Sequence, residues 1–334
     1  GVSVAVVLSL GGIVFAQVIA PAVERSIPAT LWSTIDRGVT DDDNCALKTD
    51  SKLDKGCLER AGEKTIGLLI GNSHARMNYN ALRDAAEAGG TTLVTLWTPG
   101  CKPSQQVNGF RFFDSRKCVR WFARGMEGLE KGLRRHPPEY AVISVNWTTR
   151  ERPAEEWPDL RQHLANLGMT AEPPDDMKAQ LAVGLAATIE RLQAMGVQRV
   201  LLVGPPPRFS YDAPQCVLRA DRRGLDRDTC ARRRESYLSG RRPAMDTLAY
   251  LADNLDNVRL LDVADAFCDA ELCRPYEGDR LFYDDTHHLT DLGAAHWIAH
   301  YPDAMAWTLS GAETPEPWAY AGRQAQPAAG SAIR

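Results

Sequence analysis

Three polar constellations in this 334-residue chain could do chemistry. The first is Gly71-Asn72-Ser73-His74, set directly after the apolar run Ile66 to Ile70 and before a helical stretch. A serine on a strand-to-helix turn sits at the carboxyl edge of a sheet. Its hydroxyl is exposed, and the backbone N–H groups of the helix start face an anion. Those are the donors a developing oxyanion needs. Gly71 permits a tight turn there. The same position also suits a helix N-cap, a common use of serine.

The second constellation is Tyr283-Asp284-Asp285-Thr286-His287-His288-Leu289. An Asp three residues before a His reaches back to the imidazole when the segment makes one turn. It then orients the ring and stabilises its charged form. Asp284 with His287 and Asp285 with His288 both have this spacing, and spacing alone does not choose. An Asp/His-rich surface loop is the plain alternative. Two His and two Asp are also metal-ligand types, but adjacent His residues rarely point the same way, so no metal and no cofactor is expected. The third is Asn146, closing Ile143-Ser144-Val145-Asn146-Trp147. A side-chain amide at a strand end can donate to an oxyanion; a loop Asn bonded to its own backbone is the alternative.

These residues need elements to hold them. Short apolar runs at Ile66–Ile70, Thr92–Trp97, Ala141–Val145, Val200–Val203 and Val258–Val263 read as five strands. Helical periodicity falls between them, at Ala75–Ala88, Val119–Arg134, Met177–Met195 and Ser236–Asn254, with a last helix at Asp291–Ala299. Alternating strands and helices predict an α/β fold with three layers, a five-stranded, mostly parallel sheet covered on both faces. If its order is 2-1-3-4-5, Ser73 and Asn146 flank the switch point where such sheets bind ligands. The segments Arg150–Asp176 and Pro205–Arg234 are long insertions, and long loops in compact domains are often functional. Within Arg219–Arg242, nine arginines stand against four acidic residues; this run suits an anionic ligand or a solvated, salt-bridged loop. Trp147 and Trp157 could stack on sugar rings or pack in the core.

The opening residues Gly1–Val23 carry no charge and match the length of a membrane-spanning helix. A signal peptide or a buried helix would be the other uses, but no basic stretch precedes the run. The expected organisation is a transmembrane helix at 1–23, a connector at 24–63, one domain at 64–302 and a tail at 303–334. Eight cysteines at short separations read as disulfides in an oxidising compartment, pairing Cys45 with Cys57, Cys101 with Cys118, Cys216 with Cys230 and Cys268 with Cys273. A net charge of −4 and a pI near 6.0 give no reason to expect a nucleic-acid partner.

Together the constellations resemble the SGNH, or GDSL, hydrolase family. Gly71-Asn72-Ser73-His74 is similar to its first block and Asp285-x-x-His288 to its last, with Leu289 following the His and selecting that register. Asn146 stands where the third block places an oxyanion Asn, although the usual Gly-x-Asn-Asp is here Ser144-Val145-Asn146-Trp147. The second block implies an oxyanion glycine, for which Gly100 is the local candidate. The resemblance is nearest to the SGNH domains fused to acyltransferase family 3 membrane proteins. It implies a flavodoxin-like fold with the triad Ser73, His288 and Asp285, and an oxyanion hole of the Ser73 N–H, Asn146 and Gly100. His74, Trp147 and His287 would contact substrate. It further implies O-acylation, commonly O-acetylation, of a cell-surface glycan by a periplasmic domain of the inner membrane. The partners would be an acyl donor, a glycan acceptor and an upstream membrane domain. A carbohydrate esterase and a silent glycan-binding module are the alternatives.

Overall fold

The structure is a computed structural model that describes residues 64–103, 116–147 and 160–313. The expected transmembrane helix, the connector, Cys45, Cys57 and Trp157 lie outside the described residues. Among the described residues, no helix is long and apolar enough to cross a membrane.

Five parallel strands form one sheet: β1 (Thr65–Gly71), β2 (Thr91–Trp97), β3 (Tyr140–Ser144), β4 (Arg199–Val203) and β5 (Val258–Leu261), in the order β2-β1-β3-β4-β5. Each is almost wholly buried, as near-continuous apolar strands require when both faces are covered. The helices are α1 (Ser73–Ala88), α2 (Arg116–Gly132), α3 (Leu160–Asn166), α4 (Ala179–Ala194), α5 (Ala213–Arg223), α6 (Arg234–Asn254), α7 (Asp291–His300) and α8 (Pro302–Ser310). Two short antiparallel pairs, Arg232–Arg233 with Leu272–Cys273 and Tyr276–Glu277 with Arg280–Leu281, decorate the carboxyl side.

Strand side chains alternate between two cores. Ile66, Leu68 and Ile70 of β1 face α2, α4 and α6, with Phe122, Leu185 and Leu248. Leu69 faces the opposite layer, with Tyr79 and Leu82 of α1, Trp297 of α7 and Trp307 of α8. The expected three-layer arrangement is therefore present, and all five strands run parallel. The first residues of the tail expected from 303 instead belong to α8, because Ala304, Met305 and Trp307 bury their apolar side chains in the core. The insertion after β4 holds a helix that the sequence reading left out, α5. It has an Asp212 N-cap bonding the Gln215 N–H, a proline in its first turn and a left-handed Gly224 closing it, all signals present in the sequence.

Disulfides join Cys101 to Cys118, Cys216 to Cys230 and Cys268 to Cys273. Each closes a connection near the carboxyl edge of the sheet. The second ties α5 to the turn before Arg232–Arg233.

Candidate active site

Ser73 is the first residue of α1, and it does not cap the helix. Asn72 does: its side-chain oxygen accepts the His74 N–H at 3.0 Å. The same oxygen accepts the backbone N–H of Asn146 at 3.2 Å. One buried carboxamide thus fixes the start of α1 and the end of β3, and leaves the Ser73 hydroxyl unspent. Gly71 is required for a reason other than turn conformation. A β-carbon there would lie 1.9 Å from the Ser144 carbonyl oxygen on the neighbouring strand, so only glycine lets β1 and β3 close up beneath the serine.

The second constellation forms a tight loop. Tyr283 and Leu289 face each other in an antiparallel bridge, and the Asp284 N–H donates to the His288 carbonyl at 2.9 Å. Asp285 Oδ1 accepts the backbone N–H groups of His287 and His288 at 2.7 and 2.8 Å. Its other oxygen meets His288 Nδ1 at 2.7 Å, and His288 Nε2 meets Ser73 Oγ at 2.8 Å. The Leu289 N–H rests on Met77 Sδ at 3.2 Å, docking the loop on α1. Burial pushes the Asp285 carboxyl up, but the two amides and the His288 ring outweigh it and hold it down at about 2. An ionised carboxylate, an imidazole and a hydroxyl in one hydrogen-bonded line can take a proton from the hydroxyl.

The structure brings only one register to Ser73. His287 Nδ1 bonds Thr286 Oγ1 at 2.7 Å and lies 3.5 Å from Asp285. Its ring lies 4.1 Å from that of His288. His74 is 3% exposed, its ring centroid 5.5 Å from those of both His287 and His288. Neither of its ring nitrogens has a hydrogen-bond partner among the described residues. Burial, then the charges on His288 and His287, drive the His74 imidazole well below its ordinary range and keep it neutral. Each of these three histidines brings a ring nitrogen within 4.8 Å of the others. Among the described residues they are the set that could hold a metal, in competition with the Ser73–His288 bond.

Two expected substrate contacts do not face a cleft. Trp147 is 1% exposed, and its indole N–H donates to the Val203 carbonyl at 2.7 Å. It is a core residue, because it belongs to the buried apolar cluster that also holds Val145, Val200 and Leu202. His74 is walled in likewise. Gly100 stands at an exposed turn after β2 with φ of 72°, a left-handed conformation that favours glycine.

Sequence reasoning also passed over Asn78. It is buried at 1% exposure, donates to Ser144 Oγ and the His74 carbonyl at 3.0 Å each, and accepts the Trp297 N–H at 3.0 Å. It links α1, β3 and α7. Nothing in the sequence marks it, since its partners lie 66 and 219 residues away.

Solved structures that resemble this fold include the following three. The lipopolysaccharide acetyltransferase periplasmic domain of Salmonella ser. Paratyphi A overlaps with a TM-score of 0.49 at 12% identity, covering 84% of this chain and 97% of that one. The C-terminal catalytic domain of peptidoglycan O-acetyltransferase A of Streptococcus pneumoniae gives 0.33 at 13%, covering 75% and 97%. A family two carbohydrate esterase from Clostridium thermocellum gives 0.37 at 9%, covering 74% and 64%. Overlaps this loose carry no argument about activity. No curated protein matches the chain by sequence. The family model described as the SGNH domain fused to AT3 domains matches residues 38–302, so the chain belongs to that SGNH family and is an acyltransferase or esterase of its type.

Proposed function

We propose that this domain transfers an acyl group, an acetyl group in the simplest case, to a hydroxyl of a cell-surface glycan through an acyl-serine on Ser73. The observation that supports this reading most is the unbroken line Asp285–His288–Ser73, with links of 2.7 and 2.8 Å. Ser73 Oγ attacks the acyl carbonyl of the donor while His288 Nε2 takes its proton. Asp285 holds His288 in the tautomer that presents Nε2 as acceptor. The oxyanion meets the Ser73 N–H at the start of α1, with Asn146 and the Gly100 N–H as further donors. Losing one such donor costs roughly 100- to 1,000-fold in rate. The donor's leaving group departs with the proton from His288. A sugar hydroxyl then attacks the acyl-serine and gives its proton to His288. Ser73 recovers that proton as the acyl group leaves on the sugar. Water in place of the sugar gives the esterase reaction by the same steps.

The family's description as a domain fused to AT3 domains supports a reading in which the acyl donor comes from a membrane partner domain and this domain works on the periplasmic side. The experiment is to supply the full chain with 4-nitrophenyl acetate, with and without a chelator. Nitrophenolate release and the mass of the protein are followed together. Wild type is expected to turn over or gain one acetyl group, chelator or not. Ser73→Ala and His288→Ala should fall roughly a thousandfold or more. Wild-type rates in Ser73→Ala would exclude the serine mechanism, and activity that needs zinc would move the chemistry to the three histidines.

A further inference from the structure

Beside the candidate active site, the insertion after β4 encloses a pocket of about 510 Å³ lined by Arg208, Arg232 and Arg233, with Ser210, Tyr211 and Ser236 and no carboxylate. Arg227, Arg234, Arg241 and Arg274 each pair with an aspartate. Arg232 instead spends its guanidinium on the carbonyls of Arg208 and Ser236, and among the described residues no carboxylate pairs with it. Arg208 and Arg233 are exposed and, among the described residues, have no carboxylate partner. The pocket is joined to the active site through the backbone: the Phe209 N–H donates to the Thr286 carbonyl at 2.8 Å, and the Ala213 N–H to the Asp285 carbonyl at 3.3 Å. Arg208 is near enough for its charge to act on His74 and His287.

Three cationic side chains around a concave space without a counter-charge leave repulsion that an anion relieves. Guanidinium groups match carboxylate and phosphate in geometry, and the volume is that of a small-molecule site. We infer that this pocket is the acceptor subsite of the acyl transfer proposed above, and that the acceptor is an acidic sugar bearing a carboxylate or a phosphate. The inference rests on that reading for the word acceptor, but not for the binding itself. A lipid surface fits the observations less well. The pocket is concave, and Leu225 is the exposed large hydrophobic side chain among the described residues, too little to insert into a bilayer.

The test is equilibrium binding by the full chain, without acyl donor, of methyl glucuronide, glucose 1-phosphate and neutral methyl glucoside. Both anionic sugars are expected to bind roughly tenfold more tightly than the neutral one, with the preference shrinking as salt rises. Arg208→Gln/Arg233→Gln, whose changed heads are solvent-facing, should bring the preference towards unity while the melting temperature holds. A preference for only one of the two anions assigns the subsite to that chemistry. Equal binding of all three sugars by wild type, or a preference that survives in the double variant, overturns the inference. So does binding to anionic phospholipid vesicles that the double variant loses while sugars are unaffected. Failure of nitrophenolate release would sink the serine mechanism alone, because binding is read without chemistry.

Discussion

At the scale of single residues, the site is a set of imidazoles kept in different states by their surroundings. His288 is bonded on both nitrogens and half open, while His74 is buried beside it, neutral and without a hydrogen-bond partner among the described residues. The His74 value is depressed in the folded chain, so the unfolded chain binds its proton more readily. Stability on this account is full above the ordinary imidazole value of 6.5 and declines as pH falls below it. The melting temperature of wild type is therefore expected to drop on going from neutral pH to about pH 5. His74→Gln should drop less, and the His74 ring resonances should not move over that range. A His74 that titrates near 6.5 would contradict the burial argument. Asp285, held at about 2, stays ionised throughout.

At the scale of elements, catalytic geometry depends on how closely β1 and β3 approach. Both carry the site on their carboxyl ends: Gly71 pairs with Ser144, and Asn72 reaches across to Asn146. Gly71→Ala puts a methyl group against the Ser144 carbonyl, and backbone cannot yield as a side chain can. We expect a stability loss of about 1–3 kcal/mol, measured by denaturant unfolding. Activity should fall further than stability, since the strand end that bears Ser73 must shift. An Ala variant with wild-type turnover would show that this contact relaxes without moving the serine. Asn78 explains why the helices matter as well: one buried amide ties α1 to β3 through Ser144 and to α7 through Trp297, with a third bond to the His74 carbonyl of its own helix. Each partner left unsatisfied would cost about 1–3 kcal/mol.

At the scale of the whole molecule, the sheet and its two cores form a rigid base, and the functional loops stand on its carboxyl edge under covalent restraint. The disulfides close separations of 17, 14 and 5 residues, and none lies within the five-stranded sheet. Chain-entropy reasoning gives about 3 kcal/mol for a loop near 15 residues. Reduction should therefore lower the melting temperature while far-ultraviolet circular dichroism at room temperature stays close to that of the oxidised protein, because the sheet does not depend on the staples. A reductant that leaves the melting temperature unchanged would show that the loops are held by packing alone.

The sequence by itself determined the strands and helices flanking the site, because apolar periodicity and caps are local. It also determined the residue types available to it: Ser73 at a strand end, an Asp-x-x-His loop and a neighbouring Asn146. It could not choose between Asp284–His287 and Asp285–His288 from spacing, since both obey the same three-residue rule. Tertiary structure chose, because Leu289 docks on Met77 and Asp285 caps its own loop, which turns one ring and not the other towards Ser73. The role of Asn78, the burial of Trp147 and the arginine pocket were likewise decided only by folding. Each depends on residues far apart in the chain meeting at one edge of the sheet, and contacts of that kind leave no periodic trace in sequence.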